Sequence, residues 1–143
     1  MEGLKQLAKI RFPSRAYQLK QMRCVVENAI LGLGFPKQQA EQIVLAINEA
    51  CMNIIQHSYG DDVGEIILVI LLSKDSVLFR ITDFAKPIDL DNIKSRDLSD
   101  IRPGGLGVHF IKEIMDAVSY QHSDNGKGNV VELRKYLNLE LNI

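Results

Sequence analysis

The sequence predicts an α+β fold: a two-layer sandwich in which a mixed, mostly antiparallel sheet is covered by about three helices. Apolar residues recur at helical spacing through two long stretches of the first half. Two pairs of strand-like segments, 65–72 with 77–83 and 117–122 with 129–137, are each joined by a short polar turn. These segments are interspersed along 143 residues without linker, repeat or low-complexity tract, so a single domain over 1–143 is expected.

The first element is an edge strand. Leu7, Lys9 and Arg11 alternate with Ala8, Ile10 and Phe12, and Pro13 ends the run because it has no N–H for a ladder. Ser14 is placed as an N-cap, its hydroxyl accepting from the first free helical N–H groups. Leu19, Met22, Val26, Ala29, Ile30 and Leu33 then form one helical face, which Gly32 and Gly34 terminate. Phe35-Pro36 starts a second helix, running to about Tyr59 and stopped by Gly60-Asp61-Asp62. Ile43, Val44, Ile47, Ile54 and Ile55 supply its buried face.

Glu65–Leu72 and Val77–Asp83 are rich in β-branched residues and are joined by Ser73-Lys74-Asp75-Ser76, a hairpin connection. From about Phe84 to Pro103 periodicity is lost. A loop of that length inside one domain points to a lid or binding loop. Gly104–Gly107 opens a third helix with Val108, Ile111, Ile114 and Met115 apolar, and an antiparallel pair around Asp124–Gly128 closes the chain.

A formal net charge of −1 excludes the broad basic field that non-specific nucleic-acid binding needs and leaves room only for small local basic patches, so no direct nucleic-acid partner is expected. Cys24 and Cys51 lie far apart without metal-ligand spacing and read as free, partly buried thiols of a reducing compartment. The first residues have no apolar signal core, and Ile66–Leu72 is too short to span a bilayer. A soluble, cytoplasmic protein is expected.

The chemistry concentrates in four places. Glu49, Asn53 and His57 lie at i, i+4 and i+8 of the second helix and share one stripe, with Ala46 and Ala50 beside it leaving room for a ligand. A carboxylate there can orient or take a proton from an attacking hydroxyl, and a carboxamide oxygen one turn on can ligate a hard cation. Taken alone, this stripe is simply a solvated helix face. Asp83, ending an apolar strand, can accept from the exocyclic amine of adenine, or it can start a turn. Gly104, Gly105 and Gly107 before a helix let backbone N–H groups approach phosphates, although the spacing is not that of a Walker A loop. Gly126-Lys127-Gly128 by itself is a hairpin turn.

In this order the pieces resemble the GHKL ATPases, the superfamily of the gyrase, heat-shock chaperone, histidine-kinase and mismatch-repair ATP sites. They are most similar to its bacterial anti-sigma-factor serine/threonine kinases. Asn48–Tyr59 resembles that family's N box, Arg80–Pro87 its first glycine box, Arg102–Val108 its second and Gly126–Asn129 its third. The resemblance covers nearly the whole chain. It implies the GHKL (Bergerat) ATP-binding fold, ATP and Mg²⁺ as cofactors, Glu49 as general base and Asn53 as the Mg²⁺ ligand. It also implies Asp83 at adenine, a lid over about 88–103, and Gly104, Gly105, Leu106 and Gly107 around the phosphates. His57 takes a supporting role in the nucleotide site, and Arg102 reaches toward the γ-phosphate.

Two positions depart from the pattern. Ala85 replaces a usual glycine, adding a methyl near the adenine pocket and disfavouring positive φ. Asn129 stands where threonine often follows the third glycine box. The resemblance implies a kinase that phosphorylates a serine or threonine of a small antagonist protein and sequesters a sigma factor or other switch target, with homodimerisation plausible. The alternatives are an adaptor that sequesters a partner without phosphotransfer, which Ala85 keeps open, and a histidine-kinase catalytic domain, which lacks a preceding helix with a phospho-acceptor histidine.

Overall fold

A computed structural model of the chain describes residues 3–90 and 105–137. The expected Arg102, Gly104 and all but the first residues of the lid segment 88–103 lie outside the described residues. Strand β1 (Lys5–Pro13) leads through a short 3₁₀ turn, Ala16–Gln18, into helix α1 (Leu19–Gly32). Helix α2 (Lys37–Asn53) continues without a break into a π-helical segment, Ile54–Tyr59. Strands β2 (Glu65–Leu72) and β3 (Ser76–Asp83) follow as a hairpin. Helix α3 (Gly105–Ile114) precedes a second hairpin, β4 (Ala117–His122) and β5 (Asn129–Tyr136).

The five strands form one sheet in the order β1-β2-β3-β5-β4. Every neighbouring pair is antiparallel, so the sheet is not mixed as the sequence predicts. Parallel pairing needs a crossover between adjacent strands; here the helical connection after β1 returns the chain in the opposite sense, and the one after β3 returns it in the same sense but leaves β5 between β3 and β4. β1 is an edge strand, as expected, with a register shift between Gln6 and Ala8.

The period-two pattern of the strands and the 3.6-residue pattern of the helices meet in one core. Ile66, Leu68 and Ile70 of β2 and Val77, Phe79 and Ile81 of β3 are buried together with Met22, Val26 and Ile30 of α1 and Ile43 and Ile47 of α2. Burial of each such side chain contributes about 1.5–3 kcal/mol. α2 is the middle helix, packed against both α1 and α3. Cys51 faces this core, and burial pushes its thiol up to about 12; Cys24 is exposed.

Two local expectations change. Ser14 does not cap a helix: Arg15 precedes the 3₁₀ turn, and neither that turn nor α1 has a side-chain cap. Instead Ser14 pairs with Gly64, fifty positions away in the chain. Its Oγ accepts from Gly64 N at 3.0 Å and its N donates to Gly64 O at 2.8 Å. The second helix reaches Tyr59 as predicted, but its last six residues wind as a π-helix, with Gly60 N donating to Ile55 O at 3.0 Å. The wider turn changes the angular step of the side chains after Asn53 relative to an α-helix.

Candidate nucleotide site

A cavity of about 350 Å³ lies between the end of α2 and the end of the β3–β5 pair. Ala50, Asn53 and Ile54 line it from α2 and the first π turn, and His57 and Ser58 from the rest of that turn. Asp83 and Asn129 face it from the sheet, and Lys86, Pro87, Ile88 and Asp89 from the loop after β3. Tyr120, Val130 and Val131 complete an apolar wall. The volume is in the range of small-ligand sites.

Asp83 and Asn129 sit opposite each other at the end of the β3–β5 ladder. Asp83 is 1% exposed. Its Oδ1 accepts from Asn129 Nδ2 and from Ala85 N, both at 3.0 Å. Burial raises the carboxyl above its ordinary range, and the hydrogen bonds from Asn129 and Ala85 oppose that rise by stabilising the ionised form. A buried carboxylate already supplied with such donors is oriented to accept one more from a ligand amine.

Asn129 occupies its carboxamide on both sides. Nδ2 donates to Asp83 Oδ1 and to Lys86 O at 3.1 Å, and Oδ1 accepts from Ile88 N at 2.8 Å. His122 Nε2 makes a further hydrogen bond with Ile88 O at 2.8 Å. Residues 86–88 are thereby strapped to the β4–β5 hairpin. Both amide donors of Asn129 are engaged within the protein, so its part in the site is to hold Asp83 and this loop.

Gly128 permits the close approach. Its φ is +116°, and a Cβ there would stand 2.2 Å from Asp83 O. That backbone contact explains why the third glycine cluster is more than a hairpin turn. Gly126 (φ +73°) meets nothing within 4 Å and serves the turn alone.

Ala85 causes no strain. Among the described residues no non-glycine residue has positive φ, and Ala85 packs, half-buried, against the core. Its N–H is the second donor to Asp83, a contact an alanine makes as readily as a glycine. The expected cost of a methyl at this position is therefore not a backbone cost.

On the helical side the structure brings Asn53 and His57 to the cavity, and Ala50 with them. Ala46 is fully buried in the core and does not reach it. Glu49 is half-buried on α2, next to Ala50 and one turn before Asn53, and does not line the cavity. Gly105, Leu106 and Gly107 form the first turn of α3, where backbone N–H groups have no partner within the helix. Among the described residues there is no group of three His, Cys, Asp or Glu side chains that could hold a metal. A divalent cation here would rely on the Asn53 carboxamide oxygen with phosphate oxygens and water, a donor set that suits Mg²⁺.

Sequence reasoning missed two tyrosines. Tyr120 faces Val131 across β4–β5 and lines the cavity, and burial raises its phenol. Tyr59, buried at the end of the π segment, accepts from Phe84 N at 2.8 Å and donates to Glu65 O at 2.6 Å. Nothing local in the sequence marks either, since both roles depend on strands paired far away in the chain.

Comparisons with known proteins agree with this geometry. The family model described as histidine kinase-like ATPase domain matches residues 12–135. The serine-protein kinase RsbW of Bacillus cereus (strain ZK / E33L) is 30% identical over 139 residues, covering 92% of this chain and 85% of its own length. The same values hold for RsbW of Bacillus thuringiensis subsp. konkukian (strain 97-27). Among solved structures, the SiaB-SiaC complex from Pseudomonas aeruginosa superposes with a TM-score of 0.60 at 12% identity, over 92% of this chain and 90% of that one. The mycobacterial sensor histidine kinase MprB gives 0.54 at 12% identity, over 89% and 97%. At such identities these two show a shared fold.

Proposed function

This chain belongs to the histidine kinase-like ATPase domain family, and we propose that it acts there as an ATP-dependent serine/threonine protein kinase whose substrate is a small antagonist protein. The observation that carries the reading is a cavity in which Asn53 and His57 of the helical layer meet the buried Asp83–Asn129 pair of the sheet. Its 30% identity with serine-protein kinases over 92% of the chain favours phosphotransfer over an adaptor that only sequesters its partner.

Adenine lies against the apolar wall of Ile54, Tyr120 and Val131, with its exocyclic amine donating to Asp83. The triphosphate runs toward the first turn of α3, whose Gly105–Gly107 backbone N–H groups and helix dipole favour anions. His57 supports the nucleotide from the π turn; Arg102 and Gly104, outside the described residues, are assigned to the phosphates on their place in the motif order alone. Asn53 would hold Mg²⁺, which supplies charge neutralisation of the triphosphate when bound. Glu49 orients the substrate hydroxyl and takes its proton. The hydroxyl oxygen forms a new bond to the γ-phosphorus as the bond to the β,γ-bridging oxygen breaks, releasing ADP.

Phosphorylation adds roughly two negative charges to the antagonist, enough to release it from an acidic or apolar surface. The released kinase then holds its switch target, which we take to be a sigma factor. The open edge of β1 supports a homodimer. Among the described residues no helix is long and apolar enough to cross a membrane, and we place the protein in the cytoplasm.

Incubation with γ-labelled ATP, Mg²⁺ and candidate antagonists tests the reading. Label should appear on a serine or threonine of the antagonist, and Glu49→Ala should lower transfer by about 10²–10⁴-fold while ATP binding persists. Tight ATP binding by the wild type with no transfer to any antagonist would replace the kinase with the adaptor.

A further inference from the structure

The β2–β3 ladder ends in an unusual way. Ile66 faces Asp83 in the register, so continuation by one step would bring Glu65 opposite Phe84. The next hydrogen bond of such a ladder is not made directly. The Tyr59 hydroxyl stands in the gap, accepting from Phe84 N at 2.8 Å and donating to Glu65 O at 2.6 Å. One phenol oxygen thus satisfies both backbone groups and holds the two strands apart at the residue that follows Asp83.

Two features keep the phenol there. The π turn brings Tyr59 into the fold, where it is 9% exposed. Gly64 lies flat against the ring: a Cβ at 64 would stand 2.3 Å from Cε1 and 2.7 Å from the hydroxyl oxygen. Gly64 is itself fixed by the paired hydrogen bonds with Ser14. On the far side, Gly128 presses on Asp83 O, and a Cβ there would stand 3.0 Å from Phe84 Cα. The peptide between Asp83 and Phe84 is gripped from both flanks.

We infer that Tyr59 is a positioning residue for base recognition, its hydroxyl setting where the chain leaves the sheet after Asp83. This rests on the proposed adenine contact of Asp83. The causal chain is short. The Phe84 N–H fixes the direction of the chain, that direction places the Ala85 N–H on Asp83 Oδ1 at 3.0 Å, and the carboxylate so oriented meets the 6-amino group. Without the hydroxyl, Glu65 and Phe84 either close the gap and draw the loop toward β2 or take water in its place, which fixes the Phe84 N–H less firmly. In both cases Ala85 moves.

The experiment compares ATP with inosine triphosphate, which carries a 6-oxo group in place of the amine, binding to full-length wild type and Tyr59→Phe by titration calorimetry, with thermal melts of the nucleotide-free proteins. Wild type should prefer ATP. Tyr59→Phe should bind ATP about tenfold more weakly or worse, bind inosine triphosphate nearly as before, and so lose the preference. Gly64→Ala, which keeps the hydroxyl but displaces the ring, should lose it in the same way and serves as the test if Tyr59→Phe does not fold. A purely structural role would lower the melting temperature and leave the ATP-to-inosine ratio at the wild-type value, and that result overturns the inference. Wild type that binds neither nucleotide would overturn the nucleotide site itself, and this inference with it.

Discussion

Asn129 Nδ2 lies 3.0 Å from Asp83 Oδ1, across the last rung of the β3–β5 ladder, and this bond counters the cost of burying the carboxylate. The same side chain holds Lys86 O and Ile88 N. Charge and loop position are therefore controlled by one residue, and that coupling makes the site testable.

A protonated Asp83 accepts from adenine less strongly than the carboxylate does, so ATP affinity should be full above its raised pKa and fall as pH drops through it. The fall should begin at higher pH than an ordinary carboxylate would give. Asn129→Ala removes a donor that favours the ionised form and should move this acid limb to still higher pH. ATP titrations from acid to neutral pH check the shift. An unmoved limb would mean that Asn129 does not tune Asp83.

Asp83→Asn should separate stability from binding. The folded pKa lies above the unfolded one, so the native state retains this proton over a range in which the unfolded chain has lost it. The stability linked to that proton is present below the unfolded pKa and is lost as pH rises through the folded value. Above the folded value the ionised Asp83 is a net cost, and there the asparagine variant should melt at the same temperature or higher. Its ATP affinity should fall about 10- to 100-fold, the effect of losing a charged acceptor. Melting curves with and without ATP read both quantities.

Gly128→Ala and Gly126→Ala form a matched pair in one turn. Both have positive φ, but only at 128 does the new methyl meet backbone, at Asp83 O. Gly126→Ala should cost about 1–2 kcal/mol, the left-handed penalty alone. Gly128→Ala should cost more in urea melts and should also weaken ATP binding, because Asp83 and Phe84 must shift. Equal effects of the two substitutions on ATP affinity would contradict the close approach.

Much of this was legible beforehand because it is local. The alternation of Leu7–Phe12, the helical spacing of Leu19–Leu33 and the hairpin turn at Ser73–Ser76 are each set by neighbours a few residues apart, and each element appears where it was expected. Of the residues picked out by the order of the N box, Asp83 and the glycine clusters, Asn53, His57, Asp83 and Asn129 line one cavity. The Ser14 cap failed for the converse reason. A hydroxyl takes whichever N–H the fold brings to it, and Gly64 arrives from fifty positions on. No property of Ile54–Tyr59 in isolation distinguishes a π turn from the α-helix that precedes it, since the two differ in one hydrogen-bond step and packing decides between them.

By itself the sequence determined the α+β class, the element order and two chemical types at the cavity: a carboxylate at the strand end and a carboxamide on the helix. Those follow from periodicity and residue chemistry. Only the tertiary structure decided that all strands pair antiparallel, that Ala85 needs no glycine conformation, and that Asn129 turns its amide toward Asp83 and the loop rather than outward. It also decided that Tyr59 stands between Glu65 and Phe84. Each of these depends on partners dozens of residues apart, brought together by the burial of a common core, and no local pattern encodes which of them will meet.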